Sequence, residues 1–253
     1  MPYALSEILQ HPAIWRVGQL PACLKPAIAT GFAALDKALP AHGWEQGAMS
    51  ELLSNEQGIG ELSLLAPALH HATSQGRNVV LVAPPYLPFP QAWESAGISL
   101  DHLLLIKADG TDLLWSIEQA SRSKSCSMVL AWTTSCPKAL TYPALRRLHV
   151  AAESGGSTLI LLRPQNVSEQ ASPAPTRIAV TSTNGELNLR IVKRRGALLA
   201  ETIRLNVHPD HWKRRTVERA QNTFTERIRP PHGQRDLVEI LKHTPPRQAS
   251  ASR

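Results

Sequence analysis

The sequence predicts an α/β fold: a mainly parallel sheet flanked by helices, antiparallel strands at the C-terminal edge, and a flexible basic tail. Three observations predict it. Short continuous apolar runs such as NVVLVAP, LLLIKA and SMVLAW have the character of strands buried on both faces. Helical stretches of about 10–15 residues separate them, the spacing of right-handed crossovers between parallel strands. Past residue 175, two strand-like runs flank Asn184-Gly185, the strongest short hairpin signal.

The elements follow in order. Residues 1–28 contain a short helix (ALSEILQ) and an extended, Pro-punctuated segment, in which Ile14, Trp15 and Val17 protrude with little core of their own. Either they fold back onto the domain or they dock onto a partner. Residues 29–206 form the core. AMSELLS is a strand, and GELSLLAPALHHATSQG is an apolar helix ending at Gly76. NVVLVAP is a strand, LPFPQAWESAGI includes a short helix, and LLLIKA is a strand. GTDLLWSIEQASRS is a helix with Thr111 or Asp112 as N-cap. SMVLAW is a strand, YPALRRLHVAAESGG a helix and STLILLRP a strand. The polar loop QNVSEQASPAPT leads into the hairpin RIAVTSTNGELNLRIVKRRG, and ALLAETIRLNV adds a last strand. Residues 207–253 form the tail, which from His208 holds ten Lys/Arg against five Asp/Glu. Within it RDLVEILKH is a short amphipathic stretch.

The chain has 253 residues, 43% of them apolar, enough for a real core. A net charge of +7 permits contact with nucleic acid or an acidic protein without proving either. Cys23, Cys126 and Cys136 form no CxxC and cannot all pair, which favours reduced thiols. MPYALSEILQHPAIW lacks a basic n-region and a long apolar h-region, and no apolar run reaches the ~20 residues that span a bilayer. The expectation is a soluble, cytoplasmic protein.

The informative stretch is SELLSNEQGIGELSLLAPAL, a strand, a Gly-containing turn and a helix. A working phosphate loop needs G-x-x-x-x-G-K-[ST], in which backbone N–H groups cradle phosphates, Lys neutralises charge and the hydroxyl holds Mg²⁺. Gly58 and Gly60 supply the turn, but Glu61 stands at the Lys position and Leu62 at the hydroxyl position. A carboxylate there repels a triphosphate. GIGELS lacks the third Gly of a dinucleotide fingerprint. The strand SMVLAW ends in Trp132 with no Asp to hold Mg²⁺, and VAPPYLP offers Pro84 and Pro85 in place of a carboxylate that activates water. These losses predict a vestigial site, no catalysis, no cofactor and no metal.

With this order of elements, the chain resembles a RecA-type core and, more closely, the ImuA family of bacterial translesion-synthesis proteins. The RecA resemblance rests on IATGFAALDKALPAHGWEQGAMSELL and AGISLDHLLLIKADGTDLLWSIEQA; the ImuA resemblance rests on DLLWSIEQA, VLAW, RRLHVAAESGGSTLILLRP, ASPAPTRIAV and LRIVKRRG. It covers roughly residues 1–206. The resemblance implies that Glu61 lies where RecA has its phosphate-loop Lys, Pro85 near its catalytic Glu, and Trp132 where its Mg²⁺-holding Asp would be. It leaves little room for RecA's first DNA-binding loop and shortens the second to PQNVSEQASPAP. It implies a non-catalytic accessory of an error-prone complex in the SOS response. The implied partners are an ImuB-type inactive Y-family polymerase homologue and an error-prone replicative-type DNA polymerase, with RecA as a further one. In RecA the region matching the N-terminal segment packs against the next protomer. A SulA-like cell-division inhibitor and a nucleotide-responsive RecA-like DNA-binding ATPase are the rival readings.

Other candidates carry less. Lys193, Arg194 and Arg195, with Arg163, Arg177 and Arg190, make either a basic patch for nucleic acid or an acidic partner, or a solvated strand end. Trp212, Lys213, Arg214 and Arg215 combine an aromatic with charge, which suits weak nucleic-acid contact or a plain solubilising tail. His70, His71, His208 and His211 have superficial metal spacing without a completing cluster. Ser135, Cys136 and His149 lack an oxyanion motif. Trp93, Trp115 and Trp132 are expected in the core or in helix packing, with Trp132, at a strand end, alternatively facing the vestigial site.

Overall fold

The computed structural model describes residues 25–87, 89–133, 140–197 and 201–207. Among these residues the main sheet has eight strands. In chain order the elements are β1 (Ala27–Ile28), α1 (Ala33–Ala38), β2 (Trp44–Glu45), β3 (Ala48–Leu53), α2 (Glu61–Ser74), β4 (Asn78–Val82), α3 (Pro90–Ser95), β5 (Leu103–Ile106), α4 (Gly110–Arg122), β6 (Cys126–Trp132), α5 (Tyr142–Gly155), β7 (Thr158–Arg163), β8 (Thr176–Thr183), β9 (Glu186–Lys193) and β10 (Ile203–Asn206). β1 and β2 form a separate antiparallel pair. The main sheet runs β10-β9-β8-β3-β7-β6-β4-β5. Pairing is parallel from β8 through β5 and antiparallel from β8 through β10. The expected sheet, parallel with an antiparallel C-terminal edge, is therefore present.

The central strands are buried and predominantly apolar because helices cover both faces, with Glu51 and Arg163 the buried charges among them. β3 and β7 are buried at every position. Leu52, Leu81, Leu130 and Ile160 face the layer built on α2, with Leu64, Leu65 and Leu69. Met49, Val80, Val129 and Leu161 face the layer built on α4 and α5, with Leu113, Ile117 and Leu148. The hairpin turn places Asn184 at φ 52° and Gly185 at φ 79°. Both values lie in the left-handed region that a two-residue turn of this hand requires. α2 runs through Pro67, whose ring packs where any side chain on Gly31 would stand, 2.4 Å from a Cβ built there.

Three expectations need correction. The N-cap of α4 is Asp109, not Thr111 or Asp112, because backbone bonds from Asp112 and Leu113 to the Asp109 carbonyl close the first turn earlier. Trp115 is 50% exposed, since the buried stripe of α4 runs through Leu113, Ile117 and Ala120 and leaves position 115 off it. Arg163 and Arg177 do not join a basic surface; both are buried under the sheet's own carboxylate, Glu51.

Candidate functional site

β3 delivers the chain to a tight loop, Ser54 to Gly60, that opens α2. The loop is closed from within. Ser54 Oγ and Glu56 exchange hydrogen bonds through the Glu56 amide and carbonyl, at 3.1 and 2.9 Å. Asn55 Oδ1 accepts the Gln165 amide at 3.2 Å, and the Ser54 amide donates to the Arg163 carbonyl at 3.0 Å. Gly58 and Gly60 both have positive φ, 73° and 109°. Gly60 is the N-cap residue of α2, and its carbonyl accepts the Leu64 amide.

Glu61, the first residue of α2, turns its carboxylate back into this loop. Its Oε1 accepts the Gly58 N–H at 3.0 Å, and the residue is only 8% exposed. A loop amide that an anion would otherwise take is thus satisfied by the chain's own negative charge, at the helix end where the backbone dipole favours it. The other oxygen, Oε2, is buried without a hydrogen-bond partner. Above the loop, Val207 and Leu187 close in: a Cβ on Gly60 would stand 3.0 Å from Val207 Cγ2 and 3.6 Å from Leu187 Cδ2. Leu62 packs against the apolar layer below.

The neighbouring strand ends carry no acid. Trp132 is 4% exposed and belongs to the apolar layer of α2, and Thr133 after it donates its hydroxyl to the Leu162 carbonyl at 3.0 Å. At the end of β4, Ala83 has φ 50° and its amide donates to the Ile106 carbonyl at 2.8 Å. Pro85 beyond it is exposed. Leu62 and Trp132 pack with the same apolar layer, and among the described residues no Lys or Arg pairs with the Glu61 carboxylate.

Sequence reasoning missed the most elaborate polar cluster. Glu51, in the middle of β3, is fully buried. Its Oε1 accepts Arg163 Nη1 at 2.9 Å and Ser172 Oγ at 2.7 Å, and its Oε2 accepts Arg177 Nε at 2.7 Å. Arg177 also donates to the carbonyls of Val167, Ser168 and Gln170 at 2.8, 2.8 and 3.0 Å. The segment between β7 and β8 is therefore fastened inward. The signal available beforehand was one Glu inside an otherwise apolar buried strand.

The basic run after β9 is also engaged. Lys193 Nζ donates to the Ser172 carbonyl at 2.7 Å. Burial pulls its pKa below the ordinary value, and the neighbouring Arg177 charge adds to this while Glu51 opposes it. Arg194 donates to the carbonyls of Ala38 and Ala197, and Arg195 pairs with Glu45 at 2.6 Å. Ile14, Trp15, Val17, Trp212, Lys213, Arg214, Arg215, Ser135 and Cys136 lie outside the described residues. His70 Nδ1 contacts the Gly97 carbonyl at 2.6 Å and His71 Nε2 contacts Gln75 at 3.1 Å. Among the described residues no group of His, Cys, Asp and Glu is placed to hold a metal. Nor is any helix there long and apolar enough to cross a membrane.

The structure is of the α/β class, with a mainly parallel sheet and a Gly-containing loop between β3 and α2 whose Gly58 amide is taken by the Glu61 carboxylate. Within that class the comparisons with known proteins point two ways. The cell division inhibitor SulA of Edwardsiella piscicida is 28% identical over 132 residues, covering 52% of this chain and 76% of that protein. SulA of Serratia marcescens is 28% identical over 124 residues, 49% of this chain and 71% of that protein. RecA of Marinobacter nauticus is 26% identical over 157 residues, 60% of this chain but only 45% of RecA's own length. The chain is thus weakly homologous to both RecA and SulA. No family model matches it.

Proposed function

We propose that this protein is a non-catalytic, RecA-like accessory of an error-prone translesion DNA synthesis complex, acting in the bacterial SOS response by binding. The observation that carries the reading is the Glu61 carboxylate seated on the Gly58 amide, where a nucleotide-using relative needs a cation. A fold of this kind without the Lys, the hydroxyl or the metal-holding acid has surfaces to offer and no turnover. The distant relationship to RecA and SulA supports a damage-response setting.

The partners in this reading are an ImuB-type inactive polymerase homologue, the error-prone replicative-type polymerase that accompanies it, and RecA. Ile14, Trp15 and Val17 are the docking anchors, since buried aromatic and aliphatic side chains dominate interface energies. The test is affinity capture from damaged cells with the wild-type chain and Trp15→Ala. Recovery of the polymerase homologue by the wild type, reduced at least tenfold in the variant with circular dichroism unchanged, is the expected result. The match to SulA, about three quarters of that protein's length, keeps one rival in the test, inhibition of cell division. Recovery of a division protein in place of the polymerase homologue would decide for that rival.

A further inference from the structure

β8, β9 and β10 bury one face and leave the other open. Val180, Leu187, Leu189 and Leu205 point into the core beneath α2. The alternate residues stand in cross-strand rows fixed by register. Ala179 pairs with Arg190, Thr181 with Asn188 and Asn188 with Arg204. By the β10–β9 register Thr202 extends the first row beside Arg190, and Glu186 lies two pairs closer to the turn than Asn188, opposite Thr183. Together they line a groove of about 540 Å³ in which, among the described residues, Ala179 is the only apolar one.

Most arginines of the described residues are engaged elsewhere, whereas this groove holds two unpaired ones. Arg163 and Arg177 are spent on Glu51, Arg122 and Arg147 on Glu118, and Arg195 on Glu45. Arg190 and Arg204 are exposed, and among the described residues neither guanidinium has a hydrogen bond or an ion pair. They sit one strand and two residues apart, a Cα separation of roughly 8 Å from strand spacing and rise.

We propose that this open face binds the sugar–phosphate backbone of single-stranded nucleic acid, with Arg190 and Arg204 on phosphates and Thr181, Asn188 and Thr202 donating hydrogen bonds beside them. Arg, Thr and Asn are the side chains that contact phosphate and sugar oxygens. The three strands span about 10 Å, room for one extended strand rather than a duplex. Among the described residues no aromatic lines the groove, so bases are not stacked there and sequence is not read. A protein partner is a poorer fit because interface cores need large apolar or aromatic anchors, and none is present. The chain's own tail is a poorer fit too, since ten Lys/Arg against five Asp/Glu give it the same sign as the arginines. Glu186 confines the phosphate track to the Arg190–Thr202 side.

The test uses the full chain and a fluorescent dT20 oligonucleotide, with anisotropy read from 50 to 200 mM salt. Arg190→Ala/Arg204→Ala should bind more weakly at low salt. Its log–log salt slope should be shallower by about 1.4, from two phosphates at ~0.7 each. Over that fourfold range the wild type should lose about sevenfold more affinity than the variant. Arg190→Lys/Arg204→Lys should restore the slope. Lys37→Ala/Lys107→Ala removes the same charge from elsewhere on the surface and should leave the slope unchanged. The proposal is overturned by any of four results: no binding by the wild type, an unchanged slope in the arginine variant, an equal change in the lysine control, or equal loss against a duplex. Arginine-dependent capture of an oligoglutamate peptide without oligonucleotide binding would also overturn it, in favour of an acidic protein.

Discussion

Glu51, in the middle of β3, and Glu61, at the start of α2, are both buried carboxylates, and they do opposite things. Glu51 is saturated by two guanidiniums and a hydroxyl, which makes it the hub of the contact between β3, β7 and the segment leading into β8. Removing it leaves two desolvated cations facing each other. Glu51→Ala is expected to cost about 3–5 kcal/mol, the range for breaking a buried pair from one side. Urea unfolding followed by circular dichroism checks this, and a loss below about 1 kcal/mol would show the arginines finding water instead. Glu61 was legible in the sequence because the phosphate-loop pattern assigns its position a role. Glu51 was not, because no local pattern marks it and its partners lie 112 and 126 residues further along the chain. The same distance effect concealed the fate of Arg194 and Arg195: their acceptors, on Ala38 and Glu45, come from the opposite end of the core.

α5 meets the sheet through His149, whose buried ring nitrogen Nδ1 accepts the Met49 amide at 3.3 Å. That acceptor role requires a neutral ring. Burial holds the His149 pKa below its ordinary 6.5; Glu153 opposes this, and the charges of Lys25, Arg146 and Arg195 reinforce it. The unfolded chain therefore takes up a proton at a pH where the folded chain does not. The contribution of His149 is complete above about pH 6.5 and is lost as the pH falls from there through the lowered folded value. His149→Gln should flatten the stability profile just below pH 6.5, measured as urea midpoints across pH 5–8. An unchanged profile would assign the acid sensitivity to other groups. The salt-bridged carboxylates Glu118 and Glu153 have pKa values lowered from an ordinary 4.5, so their losses fall in a lower window. Elements of this kind were largely legible: unbroken apolar runs gave the parallel strands, and Asn184-Gly185 gave the hairpin. Strand order was not, since β3 lies between β7 and β8 by long-range pairing that leaves no local mark.

At the scale of the whole molecule, a mainly parallel eight-stranded sheet carries a Gly-containing loop between β3 and α2 that is closed by its own residues. The loop between β3 and α2 bonds to itself, to Asn55's partner Gln165 and to the Glu61 carboxylate, and Val207 lies over Gly60. What remains open is the polar face of β8 to β10. The role proposed for this protein is binding without turnover. The direct measurement is steady-state ATP hydrolysis by the purified full chain with Mg²⁺, with and without single-stranded DNA. The account predicts a rate equal to the protein-free background in both cases. Steady turnover that Gly60→Val abolishes would contradict it.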